Sequence, residues 1–407
     1  MEVLSHIHEI DEMIKGILEE EGVSQIVLFG AGERGKEFLR ETSLVNLIAS
    51  NIYDNKAEGD KFYGNYKVLR PEKIVPNDSL IVITTVRDKE IAEQLNKCGC
   101  YRWCSLSYIS AIAEINMIIK NPKIVTCMIE STSLCNAQCI FCSNPTLKRA
   151  RQHMRQEIFE KIIERLKEEH QYPKIFRLHL LGEPLLDPLL FEKIRRLKEE
   201  FPDSSIGYTS NFNCATKDMI HKIFEFGQDY LVISLNSTEP NEYKRLMNLN
   251  YNKTIQNIEY LLEEKAERKS TLNITVSIVA SQEDKETISA FSKKWEDKGV
   301  SVRVMYEGKW LEKQEDFDVN LSARDNQLIR KYAENGKSCC MLTQELCFFS
   351  NGDYAFCCFD AEGAYPLGNV CNTSIKEIYN SPVRRKTLVD LLDGYRLNMC
   401  KDCSFMY

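Results

Sequence analysis

The chain is predicted to be a mixed α/β protein in three successive parts, and three observations predict it. Strand-like and helix-like segments alternate twice in series, over residues 1–118 and again over 122–305, as parallel strands joined by crossover helices do. A glycine-rich turn, Gly30-Ala31-Gly32-Glu33-Arg34-Gly35, separates a strand from a helix in the first run. Residues 306–407 lose the alternation and hold eight of the sixteen cysteines.

Size and composition agree with this division. A chain of 407 residues is long enough for two or three domains with sizeable cores. With 43% hydrophobic and 28% charged residues, it reads as folded throughout. The 53 Lys and Arg against 60 Asp and Glu leave a net charge of −7, which disfavours non-specific nucleic-acid binding. No apolar run reaches the length of a membrane span. The opening MEVLSHIHEIDEMIKGILEEEG has neither the basic start nor the apolar stretch of a secretion signal. Its Leu4, Ile7, Ile10, Ile14, Ile17 and Leu18 instead mark one face of a helix. The expectation is a cytoplasmic protein with no membrane and no nucleic-acid partner. In a reducing compartment, sixteen cysteines point to metal or redox chemistry before disulfides.

In the first run, SQIVLFG is followed by the glycine turn and a helix beginning near Arg34, and the strand LIASNIYD closes on Asp54. LIVITT at 80–85 and the helical DKEIAEQLNKCG follow, with a boundary near Asn121-Pro122-Lys123. Gly30, Gly32 and Gly35 allow a tight turn and close backbone approach, so that the helix N-terminus can face a diphosphate, with Asp54 placed for ribose hydroxyls. A glycine turn that merely permits packing fits the same residues. The segment resembles Rossmann-like modules attached to sugar-modifying and surface-polysaccharide enzymes. That resemblance implies a doubly wound sheet; of such modules some bind NAD, some a nucleotide sugar, and some have lost their ligand.

The second run offers six strands: IVTCMIE, IFRLHLLG, SIGYTSN, YLVISLN, NITVSIVA and SVRVMYE. Helical patterns such as EIFEKIIERLKEE lie between them, and chemistry is expected at the C-terminal strand ends. Directly after the first strand comes Cys135-Asn-Ala-Gln-Cys139-Ile-Phe-Cys142. Three thiolates on one loop can hold three irons of a 4Fe–4S cluster and leave the fourth open, whereas electron-transfer clusters take four cysteines. Zinc is the rival, although a structural zinc normally takes four ligands and this loop has no histidine. The spacing, with Phe141 before the last cysteine, resembles the signature of the radical S-adenosylmethionine (radical SAM) superfamily. The resemblance implies a partial (β/α)6 TIM barrel whose open iron chelates SAM, and whose electron cleaves SAM to methionine and a 5′-deoxyadenosyl radical. Leu181-Gly182-Glu183-Pro184 resembles the family's Gly-Gly-Glu-Pro, with Leu181 in place of the first glycine. Gly182, Glu183 and Pro184 would then hold the SAM ammonium. Ser210 and Asn211 at the third strand end, and Ser234 and Asn236 at the fourth, would surround the ribose and methionine.

In the tail, twelve residues separate Cys339 from Gly352 and four separate Gly352 from Cys357; LGNV and Cys400-Lys-Asp-Cys403 follow. This resembles the SPASM and twitch domains found after many radical SAM barrels. No further cysteines follow before Tyr407, which implies one auxiliary 4Fe–4S cluster rather than two. Its ligands would be Cys339 (or Cys340), Cys357 (or Cys358), Cys400 and Cys403. A zinc ribbon would use the same thiols. Cys347 and Cys371 read as buried thiols.

Three functions follow from these resemblances. The first is a radical SAM oxidoreductase or epimerase of a carbohydrate or nucleotide sugar, served by a flavodoxin- or ferredoxin-type electron donor. The second is a maturase of a ribosomally made peptide. The third is a non-enzymatic, NAD-responsive iron–sulfur protein.

Overall fold

The structure is a computed structural model that describes residues 6–58, 61–71, 78–280, 285–306, 328, 330, 331, 339–397, 400 and 403. The chain divides into two compact units. One comprises Met1–Asn121 with Arg385–Arg396; the other comprises Pro122–Phe317 with Cys339–Arg384 and Leu397–Tyr407.

The first unit is built on a six-stranded sheet. Its strands are β1 (Gln25–Phe29), β2 (Ile48–Tyr53), β3 (Lys61–Tyr63), β4 (Tyr66–Leu69), β5 (Ser79–Ile83) and β6 (Trp103–Ser105), in the order β3-β4-β2-β1-β5-β6. All pairings are parallel except that of β3 with β4. Ile26, Leu28, Leu80 and Val82 enter one core, and Phe29, Ile81 and Ile83 enter another. Alternate side chains thus bury on opposite faces, which is why these strands read as continuous apolar runs. The chain leaves β1 toward β2 and returns to β5 on the other side, so a crevice opens at the C-terminal ends of β1 and β5. The opening apolar stripe is the helix Ile7–Glu21, which buries Ile10, Ile14, Ile17 and Leu18 and ends at Gly22 with φ +65°.

The second unit carries an eight-stranded sheet. Six parallel strands run in chain order: β7 (Thr126–Ile129), β8 (Ile175–Arg177), β9 (Ser205–Ser210), β10 (Tyr230–Ser234), β11 (Asn273–Ala280) and β12 (Ser301–Tyr306). β13 (Glu345–Phe348) pairs parallel with β7, and β14 (Tyr354–Ala355) pairs antiparallel with β13. Helices such as Gln156–Glu168 and Leu190–Glu200 cover one face with Ile158, Phe159, Ile162, Ile194 and Leu197. All six strands expected between 122 and 305 are present.

In the tail, β13 extends the second sheet, and Arg385–Arg396 groups with the first unit, where Arg385 Nη1 donates to Asn116 Oδ1 at 2.6 Å. Cys340–Gln344, Ile375–Tyr379 and Pro382–Leu392 of the tail are helical. Among the described residues, no helix is long and apolar enough to cross a membrane.

Candidate functional site

The three clustered cysteines lie on the loop that leaves the C-terminal end of β7. The backbone N–H of Ala137 donates to Cys135 Sγ and that of Asn144 to Cys142 Sγ, each at 3.4 Å. Burial pushes the thiol of Cys135 up to about 11 and that of Cys139 up to about 12, and raises Cys142 as well. Cys142 and Cys135 add to the rise at Cys139, so the three sulfurs share one electrostatic environment. At neutral pH such thiols stay protonated unless a cationic centre displaces their protons. An iron–sulfur cluster is such a centre, and the donor set fits it. Among the described residues, no three His, Cys, Asp or Glu side chains converge as a single metal ion requires.

Glu183 stands beside this loop. Its backbone N–H donates to Leu134 O at 2.8 Å, and a Cβ on Gly182 would lie 1.9 Å from Thr132 O. Only glycine therefore lets the Gly-Glu-Pro turn lie against the segment entering the cysteine loop. The Glu183 carboxylate is 2% exposed. Its Oε1 accepts from the Ser210 hydroxyl at 2.6 Å and from Leu185 N–H at 3.1 Å, and its Oε2 from Asn211 N–H at 2.7 Å. Burial raises this carboxyl to about 7 against those three donors. Asn211 Nδ2 donates to Asn136 Oδ1 at 2.8 Å, which ties the end of β9 to the residue after Cys135. Pro184 opens the short turn Pro184–Leu186 that Glu183 caps.

The expected strand-end residues divide into two groups. Ser210 and Asn211 converge on Glu183. Asn236 instead spends its amide inside the protein, accepting from Val279 N–H at 2.9 Å and donating to Met247 Sδ at 3.3 Å, with φ +61°. Ser234 ends β10 opposite Ser277.

Sequence reasoning missed a clamp behind the loop. Arg149 forms a bidentate pair with the fully buried Glu130 at 2.8 and 2.6 Å. It also donates through Nε to Ala361 O at 2.7 Å and lies 4.3 Å from the centroid of the Phe349 ring. Glu130 Oε2 further accepts from Ser350 N–H at 3.0 Å. The tail thereby holds the segment that follows Cys142. Neither residue belongs to a motif, so no spacing signal marked them.

A second set of thiols meets in the tail. Cys339, Cys357, Cys400 and Cys403 line one pocket, whose other walls are the apolar Met341, Leu342 and Phe359. Cys340 and Cys358 do not line it; Cys358 Sγ lies 3.7 Å from Met341 Sδ. Burial raises Cys339 to about 12, with Cys357 and Cys403 adding to the rise. Cys347 is buried as expected, but Cys371 is exposed. All sixteen cysteines are free of disulfides.

In the first unit, a cleft of about 670 Å³ is lined by Gly30, Gly32, Arg34, Asp54, Thr84 and Arg87, among others. Two of the three glycines have internal reasons. Gly30 has φ +122°, and a Cβ on Gly35 would lie 2.3 Å from Gly30 O. Gly32 has none, since nothing lies within 4 Å of its Cβ position. Asp54 pins the turn, with Oδ2 accepting from Ala31 N–H and Oδ1 from Lys56 N–H, each at 2.8 Å.

Comparison with known proteins agrees with this anatomy. Residues 129–291 match the Radical SAM superfamily, and residues 339–404 match SPASM, an iron–sulfur cluster-binding domain. No curated protein matches the chain. Among solved structures, SuiB of Streptococcus suis bound to precursor peptide SuiA is similar at 13% identity and a TM-score of 0.52, over 72% of this chain and 74% of that one. His6-tagged anSMEcpe with bound AdoMet is similar at 17% identity and a TM-score of 0.50, over 70% and 84%. BtrN in complex with AdoMet and 2-DOIA follows at 17% identity and a TM-score of 0.43, over 69% and 93%. The chain therefore carries a radical SAM domain followed by a SPASM domain, and it is an enzyme whose cofactors are 4Fe–4S clusters and S-adenosylmethionine.

Proposed function

We propose that the chain reductively cleaves SAM and abstracts hydrogen from a carbohydrate or nucleotide sugar, which it oxidises or epimerises. The observation that carries this reading is the pair of separate thiol sets in one unit: three on the loop beside Glu183, and four lining a pocket in the tail. Cys135, Cys139 and Cys142 would hold the cluster that binds SAM. Cys339, Cys357, Cys400 and Cys403 would hold the auxiliary cluster, as electron acceptor or relay. When bound, the first cluster supplies the electron that splits SAM into methionine and a 5′-deoxyadenosyl radical. The chain's own part is to hold the thiols, to offer Glu183 to the SAM amino group, and to brace the loop through Glu130 and Arg149. A flavodoxin- or ferredoxin-type donor in a reducing cytoplasm suits both clusters and cysteines that form no disulfide.

The polar strand face described below supports a hydrophilic small substrate. Peptide maturation is the second reading, because SuiB shares this fold and holds a precursor peptide. Transfer of deuterium from a labelled substrate into 5′-deoxyadenosine separates the two. Label arriving from perdeuterated sugar nucleotides supports the first reading; label arriving only from a deuterated peptide pool overturns it.

Glu183 gives a pH signature. Its carboxyl sits near 7, so it is mostly protonated at pH 6 and mostly ionised at pH 8. If the ionised form holds the SAM amino group, affinity rises about tenfold over that window and levels off above it. Glu183→Gln should flatten the profile and weaken binding at pH 8 by roughly ten- to a hundred-fold. Equilibrium dialysis of labelled SAM measures both effects.

In the first unit, the strand order, the cleft and the glycine turn support a Rossmann-like site for NAD or a nucleotide sugar. The diphosphate would lie over the Gly30–Gly35 turn, with Asp54 near the ribose. Gly32 makes no close packing contact but is the N-cap of the helix Glu33–Glu41, so Gly32→Val should cost no more than about 1 kcal/mol of folding stability. The new side chain would still project toward the cleft that Gly32 lines. Titration with NAD, NADP, UDP-sugars and GDP-sugars should show one ligand binding the parent chain and none binding the variant. Equal binding by both would remove the site.

A further inference from the structure

Strand register places one set of alternating residues on a single face of the larger sheet. Glu345 stands opposite Thr126, and Thr126 opposite Ile175. Arg177, two residues on, stands opposite Gly207, and Gly207 opposite Tyr230. Ser234 stands opposite Ser277, and Ser277 opposite Arg303. The other face is the apolar one, where Cys127, Phe176, Ile206, Leu231 and Val276 are fully buried. Two arginines, a glutamate and a tyrosine on one strand face are unusual for a barrel interior, which branched apolar side chains normally fill.

The charges on this face do not balance. Arg177 Nη1 lies 3.4 Å from Glu345 Oε2. Arg303 is exposed and has no carboxylate partner among the described residues. Desolvation, and after it the nearby Arg177, holds Arg303 below the usual arginine range, and both guanidiniums act on His179, which burial together with these two charges holds down to about 3. His179 is therefore neutral. Its Nδ1 accepts the Thr209 N–H at 3.0 Å, so its remaining proton sits on Nε2 as a donor. The Tyr230 hydroxyl donates to Phe176 O at 2.9 Å and brings no negative charge. The face thus offers two guanidinium groups and an imidazole N–H against one carboxylate. That is a donor-rich, net cationic surface suited to an oxyanion.

We propose that Arg303 and Arg177, with His179, bind a phosphate group on the substrate, so that the substrate class is a phosphorylated or nucleotide-activated small molecule. The proposal rests on the reading of this face as the substrate side of a radical SAM domain. Phosphate is favoured over carboxylate because its three terminal oxygens can accept from two guanidiniums and an imidazole N–H together, whereas a carboxylate has two oxygens.

The test uses the reconstituted, SAM-loaded protein in a Gly32→Val background, so that the cleft of the first unit does not contribute. Equilibrium dialysis compares glucose 1-phosphate, gluconate and glucose. Glucose 1-phosphate should bind at least tenfold more tightly than glucose. Arg303→Gln should abolish that preference and Arg303→Lys should restore part of it, with SAM binding unchanged in both. Equal binding of the phosphate ester and the neutral sugar would overturn the proposal. Tighter binding of gluconate would overturn the assignment to phosphate. A loss of SAM affinity in Arg303→Gln would place the guanidinium on the cofactor and also overturn it. Failure to form 5′-deoxyadenosine would count against the radical reading alone, since the dialysis does not depend on SAM cleavage.

Discussion

Replacing Cys135, Cys139 and Cys142 together by alanine is expected to abolish formation of 5′-deoxyadenosine, with the variant losing about four irons and keeping a second cluster. The effect should be complete because Cys214, which also feels the charge of Glu183, is a single thiol and cannot replace three ligands. Each of these cysteines would bind a different iron of the cluster, so single substitutions should cost nearly as much as the triple one. The fold should survive, since the loop's backbone is held independently: Glu183 N–H bonds to Leu134 O, Asn144 Nδ2 to Ser133 O, and Arg149 to Glu130. Iron analysis with electron paramagnetic resonance of the dithionite-reduced variant would show one cluster signal instead of two.

Cys400→Ala is expected to have the complementary effect, leaving SAM cleavage measurable while substrate turnover falls below detection and about four irons are lost. Cys400 is buried in the tail pocket with Cys339, Cys357 and Cys403, so its removal would leave an auxiliary cluster one thiolate short. The doublets sharpen the experiment. Cys339→Ala should cost the same irons as Cys400→Ala, and Cys340→Ala should cost none, because Cys340 does not line the pocket. One zinc and about four irons per chain would mean that the tail holds a structural metal instead.

The six strands of the second run were legible in the sequence because a parallel strand covered by helices is apolar at every helix-facing position, and each such run ends at a polar turn. The cysteine loop and the Gly-Glu-Pro turn were legible because their spacing carries chemistry. β3 and β4 were not, since KFY and YKVL are short and half-polar, forming the sheet's edge strand and its neighbour. β13 was hidden among cysteines, and its pairing with β7 joins residues far apart in the chain. Helix Pro382–Leu392 did carry a signal, with proline at its first position and Gly394 beyond its end, but the cysteine-rich surroundings outweighed it. The choice within each cysteine doublet turns on a one-residue shift along a buried turn. Only packing decides such a shift, and the Gly352 spacing that favoured Cys357 happens to agree with the pocket. Asn236, a polar strand-end residue, uses part of its amide to hold Val279 and Met247, a contact that no spacing in the sequence marks.

The account's central claim is that the Cys135–Cys142 loop carries a SAM-cleaving cluster. The most direct test is anaerobic incubation of the reconstituted chain with SAM and dithionite, followed by chromatography of the products. The account predicts equimolar 5′-deoxyadenosine and methionine, formed only when reductant is present. A fully loaded chain that binds SAM and leaves it intact under reduction would contradict it.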